Sequence, residues 1–368
     1  MVNTAKIRAL FLIPHFLPRI GGVERHTYYV AKELSKYGID VTIIARDSNK
    51  LKEQDVINGI KVYRINSKLK GPLKILLMWV YLLRNFQILI RNDIIHLHDW
   101  GTFLWLLPVL PALRVLRKPV FITFHGFERY PIPKLAYIIR KLVEKMTWGN
   151  ICVGAFIAKW YRTKPDVVII GGVEKLDHLP LRSDIKNNAI VFIGRLSNDT
   201  GIIELLNAIK ILRDKYRYNI ELHTCGDGPL RNYVSHFSRL NNLKVHMYGF
   251  VSNPWSCIAK ARIVFAPGYL SMLESMIAKR LVISIYNNPL KKDYFFSIPK
   301  INEIMILASN PEELAEKLYE VLTNNRSIDE IINNAYTFAR KHSWKRVAYA
   351  YLTLYKNKLR KKWCGHGY

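Results

Sequence analysis

Residues suited to phosphate and sugar chemistry fall at the turns between apolar runs. In "FAPGYLSMLESMIAKRLVISIYNNP" (265–289), Glu274 is the only acid and stands three residues after Ser271. A capping box explains that spacing, with Ser271 accepting from the Glu274 N–H and the Glu274 side chain accepting from the Ser271 N–H. So does a ligand site, where a helix N-terminus points free N–H groups at a phosphate and Glu274 grips a sugar hydroxyl. In "FIGRLSNDTGIIELL" (192–206), Arg195 follows Gly194 at a strand end. A permanently charged fork there suits bidentate binding of a diphosphate, or a surface salt bridge. Gly21 and Gly22 in "PRIGGVERH" and Gly226 in "CGDGPLRNYV" sit between a strand and a helix, where glycine lets a ligand or another backbone come close. His125 in "FITFHGFERYP" is placed to donate to a sugar hydroxyl, to shuttle a proton, or to serve the fold. His96 and His98 share one strand face beside Asp99, but with no matching third ligand they do not make a metal site, and no metal is expected.

Two series of alternating strands and helices position these residues. "IRALFLIP", helix 22–37, "DVTIIAR", "IKVYRI", "DIIHLHD" and "PVFITFHG" form the first. "AIVFIGRL", helix 201–216, "IELHTCG", helix 228–239, "VHMYGF", helix 254–260, "ARIVFAP", a helix after Ser271 and "LVISIY" form the second. Apolar strands without alternation imply parallel sheets covered on both faces. The expectation is an α/β protein of two doubly wound domains, 1–165 and 166–344, with helix 345–368 packing back on the first. Ligands would bind at the C-terminal strand ends, in a cleft between the two sheets. No short repeat or low-complexity tract supports a solenoid or a disordered chain.

The 368 residues carry 56 Lys and Arg against 28 Asp and Glu, a net charge of +28. Residues 68–145 hold 13 of the cations and 4 acids amid large apolar side chains, and no acid follows Lys341. Basic residues interleaved with Leu, Trp and Tyr fit an anionic membrane surface better than nucleic acid, which is not an expected partner. "PLKILLMWVYLLRNFQILI" (72–90) approaches the length of a span, but Lys74, Arg84, Asn85 and Gln87 interrupt it, so it reads as a surface helix. The four cysteines show neither C-x-x-C nor ligand spacing, so reduced thiols in a reducing compartment are expected. "MVNTAKIRALFLIPHF" passes directly into patterned sequence and reads as a first strand, not a signal peptide.

The order of these motifs is more specific than any one of them. A glycine pair after the first strand, "TFHG", "GR", "GDGPL", "YGFV" and "LES" at a helix start resemble, over nearly the whole chain, the glycosyltransferases of family 4. "HSWKRVAYAYLTLYKNKL" resembles their closing helix. The resemblance implies the GT-B fold and a retaining transferase that needs no metal or other cofactor, with a nucleotide-sugar as substrate. It implies that Arg195 binds the donor diphosphate and Glu274 the ribose hydroxyls. The N–H groups of Ser271, Met272 and Leu273 would meet the phosphates, with Gly22 approaching from the other domain. Phe250 and Val251 would flank the base, and His125 would lie near the transferred sugar. In that context the ribose reading of Glu274 overtakes the capping reading, and the two remain compatible.

Two departures qualify the match. Ala266 stands where the family has the first of two acids, and Thr200 where it has a lysine that assists the arginine. Lys291 or Lys292 in "NPLKKDY" is available to supply the charge. The expected activity is transfer to a lipid-linked or glycan acceptor by a peripheral protein at the cytoplasmic membrane face. A GT-B epimerase and a catalytically idle sugar-nucleotide-binding subunit are the alternatives.

Overall fold

"ALFLI" (9–13) and "AIVFI" (189–193) are apolar at every position because both faces of each strand are covered. They are central strands of two separate sheets in the computed structural model, which describes residues 7–47, 51–69, 71–126, 129–174, 186–323 and 328–364. The chain divides into two compact units, Met1–Ile169 with Trp344–Tyr368, and Ile170–Ser343.

In the first unit the strands are β1 (Ile7–Ile13), β2 (Ile39–Asp47), β3 (Gln54–Ile57), β4 (Ile60–Asn66), β5 (Ile94–His98), β6 (Val120–Phe124), β7 (Gly149–Val153) and β8 (Val167–Ile169). Their order is β3-β4-β2-β1-β5-β6-β7-β8, parallel except for the β3–β4 hairpin. The direction of winding reverses between β1 and β5. Helix Trp344–Cys364 completes this unit's core: the Tyr351 hydroxyl bonds His26 Nε2 (3.0 Å) and Thr123 Oγ1 (2.7 Å), and the Tyr355 hydroxyl bonds His96 Nδ1 (2.7 Å). The expected surface helix 72–90 is two helices, Pro72–Arg84 and Phe86–Arg91. Asn85 ends the first, its backbone and side-chain N–H groups both donating to the Tyr81 carbonyl. Among the described residues no helix is long and apolar enough to cross a membrane.

The second unit contains β9 (Lys186–Ile193), β10 (Glu221–Cys225), β11 (Lys244–Gly249), β12 (Ala261–Phe265), β13 (Leu281–Ile285) and β14 (Ile306–Ala308), all parallel, in the order β11-β10-β9-β12-β13-β14. Ile190, Phe192, Phe265 and Ile283 pack with Leu205, Leu206, Ile209 and Leu212 of helix Ile202–Tyr216. Each such side chain contributes about 1.5–3 kcal/mol by leaving water, which holds the C-terminal strand ends in fixed register.

The thiol expectation is corrected here. Cys225, at the end of β10, and Cys257, in helix Trp255–Ile258, form a disulfide with Cα atoms 6.5 Å apart. They are 32 residues apart in sequence, and tertiary packing, not motif spacing, brings them together. Cys152 is free and buried. The argument for a reducing compartment from cysteine usage therefore falls.

Candidate functional site

In the second unit the winding reverses between β9 and β12, so the segments leaving these neighbouring strands diverge and leave room for a ligand at their C-terminal ends. Gly194 and Arg195 follow β9, and Pro267 and Gly268 follow β12. The backbones are close-packed: a Cβ on Gly194 would lie 2.6 Å from Pro267 Cγ, and one on Gly226, at φ +153°, would lie 1.8 Å from the Gly194 carbonyl oxygen. Gly226 thus serves contact with Gly194, and its N–H donates to the Gly249 carbonyl (2.8 Å).

Arg195 leaves β9 with its side chain 74% exposed and its guanidinium donating to Asp199 (2.9 Å). Thr200 is uncharged, and its hydroxyl is turned into the loop, 2.9 Å from the Arg195 carbonyl and 2.6 Å from that of Ser197. The cation beside this turn is Lys291. It is 7% exposed, and Nζ donates to the Pro267 carbonyl (2.7 Å). Burial pushes its ammonium down to about 8; Asp199 opposes the fall and Arg195 adds to it.

The helix carrying Glu274 spans Tyr269–Ile277, with extended Gly268 as N-cap. It therefore begins before Ser271, and the expected capping box is absent. Ser271 lies inside the first turn, its hydroxyl donating back to the Gly268 carbonyl (3.0 Å). The expectation that Met272 and Leu273 present free N–H groups is also corrected: the Met272 N–H donates to Gly268 (2.9 Å), and Leu273 lies one residue deeper. The orphan donors of a helix belong to its first turn. The Tyr269 N–H meets the Tyr294 hydroxyl (2.8 Å), which leaves Leu270 and Ser271 to face a ligand. Glu274 is buried, at 4% exposure. Phe250, just after β11, is 54% exposed, whereas Val251 packs against a cluster that includes Cys225, Cys257 and Ile258.

In the first unit Gly21 is the N-cap of helix Gly22–Lys36. Glu24 turns back on it, accepting from the backbone N–H groups of Gly21 and Glu24, so that a Cβ on Gly21 would lie 2.5 Å from Glu24 Oε2. This is the reciprocal half of a capping box. A phosphate approaching Gly21 or Gly22 would have to displace that carboxylate. Burial raises the Glu24 carboxyl above its ordinary range despite these bonds, and Asp99 adds to the rise.

Asp99 follows β5 at φ 66°, ψ 157°, a region nearly restricted to glycine and costing about 1–3 kcal/mol for other residues. Its Oδ1 accepts from the His125 N–H (2.8 Å). The His125 ring lies 2.9 Å from His98, Nε2 to Nδ1, and edge-on to His26. Burial and the Arg140 guanidinium push His125 down to about 3, so at neutral pH it is an uncharged hydrogen-bonding group and not a proton shuttle. His96 and His98 are buried and held neutral by burial and by neighbouring histidines. Among the described residues no group of three or more His, Cys, Asp or Glu is placed to hold a metal ion.

Residues 20–172 match the family model described as Glycosyltransferase Family 4, and residues 173–338 match Glycosyl transferases group 1. The chain belongs to the family 4 glycosyltransferases. This glycosyltransferase is 25% identical over 231 residues to the Campylobacter jejuni enzyme named GalNAc-alpha-(1->4)-GalNAc-alpha-(1->3)-diNAcBac-PP-undecaprenol alpha-1,4-N-acetyl-D-galactosaminyltransferase; the match covers 60% of this chain and 63% of that enzyme. It is 26% identical to an uncharacterised glycosyltransferase of Methanocaldococcus jannaschii, covering 92% of this chain and 95% of the relative. Anabaena HepE, solved in complex with UDP and glucose, superimposes with a TM-score of 0.72 at 14% identity, over 94% of this chain and 98% of that one. The fold is GT-B, with two α/β domains built on parallel sheets.

Of the glycosyltransferase's expected site residues, the structure gathers Gly194, Arg195, Gly226, Ser271 and Glu274 on the segments at one end of the second sheet, and Gly21, Gly22 and His125 at one end of the first. Sequence reasoning gave Glu24 no role and weighed Asp99 only as a neighbour of His96 and His98, not as the acceptor of the His125 N–H. Glu24 carried the readable signal, an acid three residues after the glycine that caps its helix.

Proposed function

We propose that this glycosyltransferase is retaining and metal-independent, moving a sugar from a nucleotide-sugar to a lipid-linked or glycan acceptor. The observation that carries the donor reading is the pairing of exposed Arg195 with the first turn of helix Tyr269–Ile277 at adjoining strand ends. As the glycosidic bond to the diphosphate breaks, negative charge grows on the leaving phosphate. The Arg195 guanidinium and the Leu270 and Ser271 N–H groups are fixed donors for that charge, a role a metal ion fills elsewhere. Glu274 accepts from the ribose hydroxyls, exposed Phe250 stacks on the base, and neutral His125 hydrogen-bonds the transferred sugar. The bound UDP in HepE supports a nucleotide-sugar donor.

The Campylobacter relative's name supports a lipid-linked acceptor. So do two apolar ridges on the first unit: Leu73, Leu76, Val80 and Leu83 on helix Pro72–Arg84, and Leu135, Ile138 and Leu142 on helix Lys134–Met146 are all exposed. Both helices pack against helix Trp100–Leu106 and carry lysine and arginine beside the ridges. Apolar side chains bordered by cations suit an interfacial position on an anionic leaflet, as at the cytoplasmic face of a membrane.

Thermal shift with UDP-, GDP- and ADP-sugars tests the donor; ligand at a hundred times its Kd adds about 2.7 kcal/mol. Nucleotide release that requires acceptor and survives EDTA, with the product's anomeric configuration matching the donor's, is the expected result. Turnover without acceptor points instead to an epimerase, and inversion or loss in EDTA refutes the mechanism.

A further inference from the structure

We propose that Lys291 is the second cation of the donor diphosphate site, reaching it from the segment after β13 in place of the lysine this chain lacks at position 200. The inference rests on the donor reading above and adds a residue to it. Asn288 caps helix Pro289–Phe296, its side chain accepting from the Lys291 N–H (2.8 Å), and this fixes Lys291 in the first turn. The side chain runs inward to the Pro267 carbonyl, and the Pro267 ring is packed on Gly194, immediately before Arg195. Lys291 therefore lies beside the peptide that starts helix Tyr269–Ile277 and beside the strand end that presents Arg195.

Lys292, the other candidate, is exposed and lies over the Tyr286 and Phe296 rings at 5.9 and 5.8 Å. A structural tie to Pro267 does not explain why an ammonium is buried. Of its three N–H donors, one is used on a neutral carbonyl, and the Tyr294 and Phe295 rings (4.5 and 5.2 Å) give partial compensation. Among the described residues Lys291 forms no salt bridge; the nearby acid, Asp199, is bonded to Arg195. An unpaired buried cation is costly, and a phosphate between Lys291 and Arg195 supplies the missing counter-charge. The lowered affinity of Lys291 for its proton has the same origin.

The test uses the full chain and isothermal titration with UDP, GDP and ADP, and with uridine as a phosphate-free control. Lys291→Met should weaken the preferred nucleoside diphosphate by at least about tenfold and leave nucleoside binding unchanged. Adding Thr200→Lys to that variant should restore much of the loss. Should Lys291→Met fail to fold, Lys291→Arg, which keeps the charge, gives a second reading. At pH 8, titration of the parent in buffers of different ionisation enthalpy should show proton uptake on diphosphate binding, and the arginine variant should not. Parent-like diphosphate binding by folded Lys291→Met, or no proton uptake by the parent, overturns the role of Lys291 alone. A parent that binds none of the three nucleotides overturns the donor reading and Lys291 with it.

Discussion

Replacing Arg195 by alanine separates ligand binding from stability unusually well. The side chain is 74% exposed, and its partner Asp199 is 47% exposed at 2.9 Å. Such surface pairs contribute about 0.2–1 kcal/mol, so for a unit of this size Tm should fall by less than about 4 °C. The hydrogen bonds from Arg195 to a diphosphate are charge-assisted and worth about 1.5–3 kcal/mol. Nucleotide affinity should therefore drop roughly 10- to 150-fold. Asp199→Asn makes the opposite prediction. It releases the guanidinium and removes an anion from the phosphate's surroundings, so the same ligand should bind more tightly while stability barely changes. Calorimetric titration of parent and both variants, with Tm recorded alongside, decides the matter. Unchanged affinity in Arg195→Ala refutes the diphosphate assignment. Weakening by Asp199→Asn would instead make the pair a brace for the turn.

The Cβ that Gly226→Ala introduces meets backbone at 1.8 Å; urea unfolding should register a loss of at least about 3 kcal/mol, and a loss under about 1 kcal/mol would refute the tight Gly194–Gly226 contact. His26, His96, His98 and His125 are all depressed by burial, His125 to about 3. An unfolded chain takes up these protons near the ordinary pH 6.5 and the folded one does not, so stability present above that pH is lost as pH falls below it. Denaturant titrations at pH 7 and 5 should show the first unit losing several kcal/mol, at about 1.4 kcal/mol per pH unit for each histidine that stays neutral, and equal stability at both pH values would contradict the neutral cluster. Liposomes containing anionic lipid should retain the protein, and Leu76→Ser with Ile138→Ser should release it further than high salt does, since salt screens charge but not apolar burial; release by salt alone would assign binding to charge.

Parallel α/β architecture was legible because the strands carry apolar runs without alternation, as at residues 9–13 and 189–193, a direct imprint of two covered faces. The placing of Arg195 and His125 just past strand ends was legible from the order of turns, and so was a helix carrying Glu274. Where the helix bearing Glu274 starts was not. Gly268 caps it in an extended conformation without a side chain, and Ser271 bonds backwards inside the first turn, so local polarity pointed three residues too late. The β3–β4 hairpin had a signal that went unread: Asn58 and Gly59 both take positive φ, as a two-residue turn of the primed class requires. The Cys225–Cys257 bond and the selection of Lys291 over Lys292 depend on which surfaces meet after folding, and nothing in residue spacing encodes that.

The closing helix Trp344–Cys364 gives the two units different histories on the ribosome. The second unit is continuous in sequence, whereas the first lacks Tyr351 and Tyr355 until the whole second unit has been made. At about 5–20 residues per second, translating the intervening stretch of about 170 residues takes roughly 10–35 s. Throughout that interval His26, His96 and Thr123 have no tyrosine hydroxyls to bond, and the first unit lacks the helix that packs beside helix Gly22–Lys36. The later-synthesised unit is therefore the one able to reach its native state first. The earlier one waits, exposed to chaperones and to aggregation, for a segment encoded only after the whole second unit.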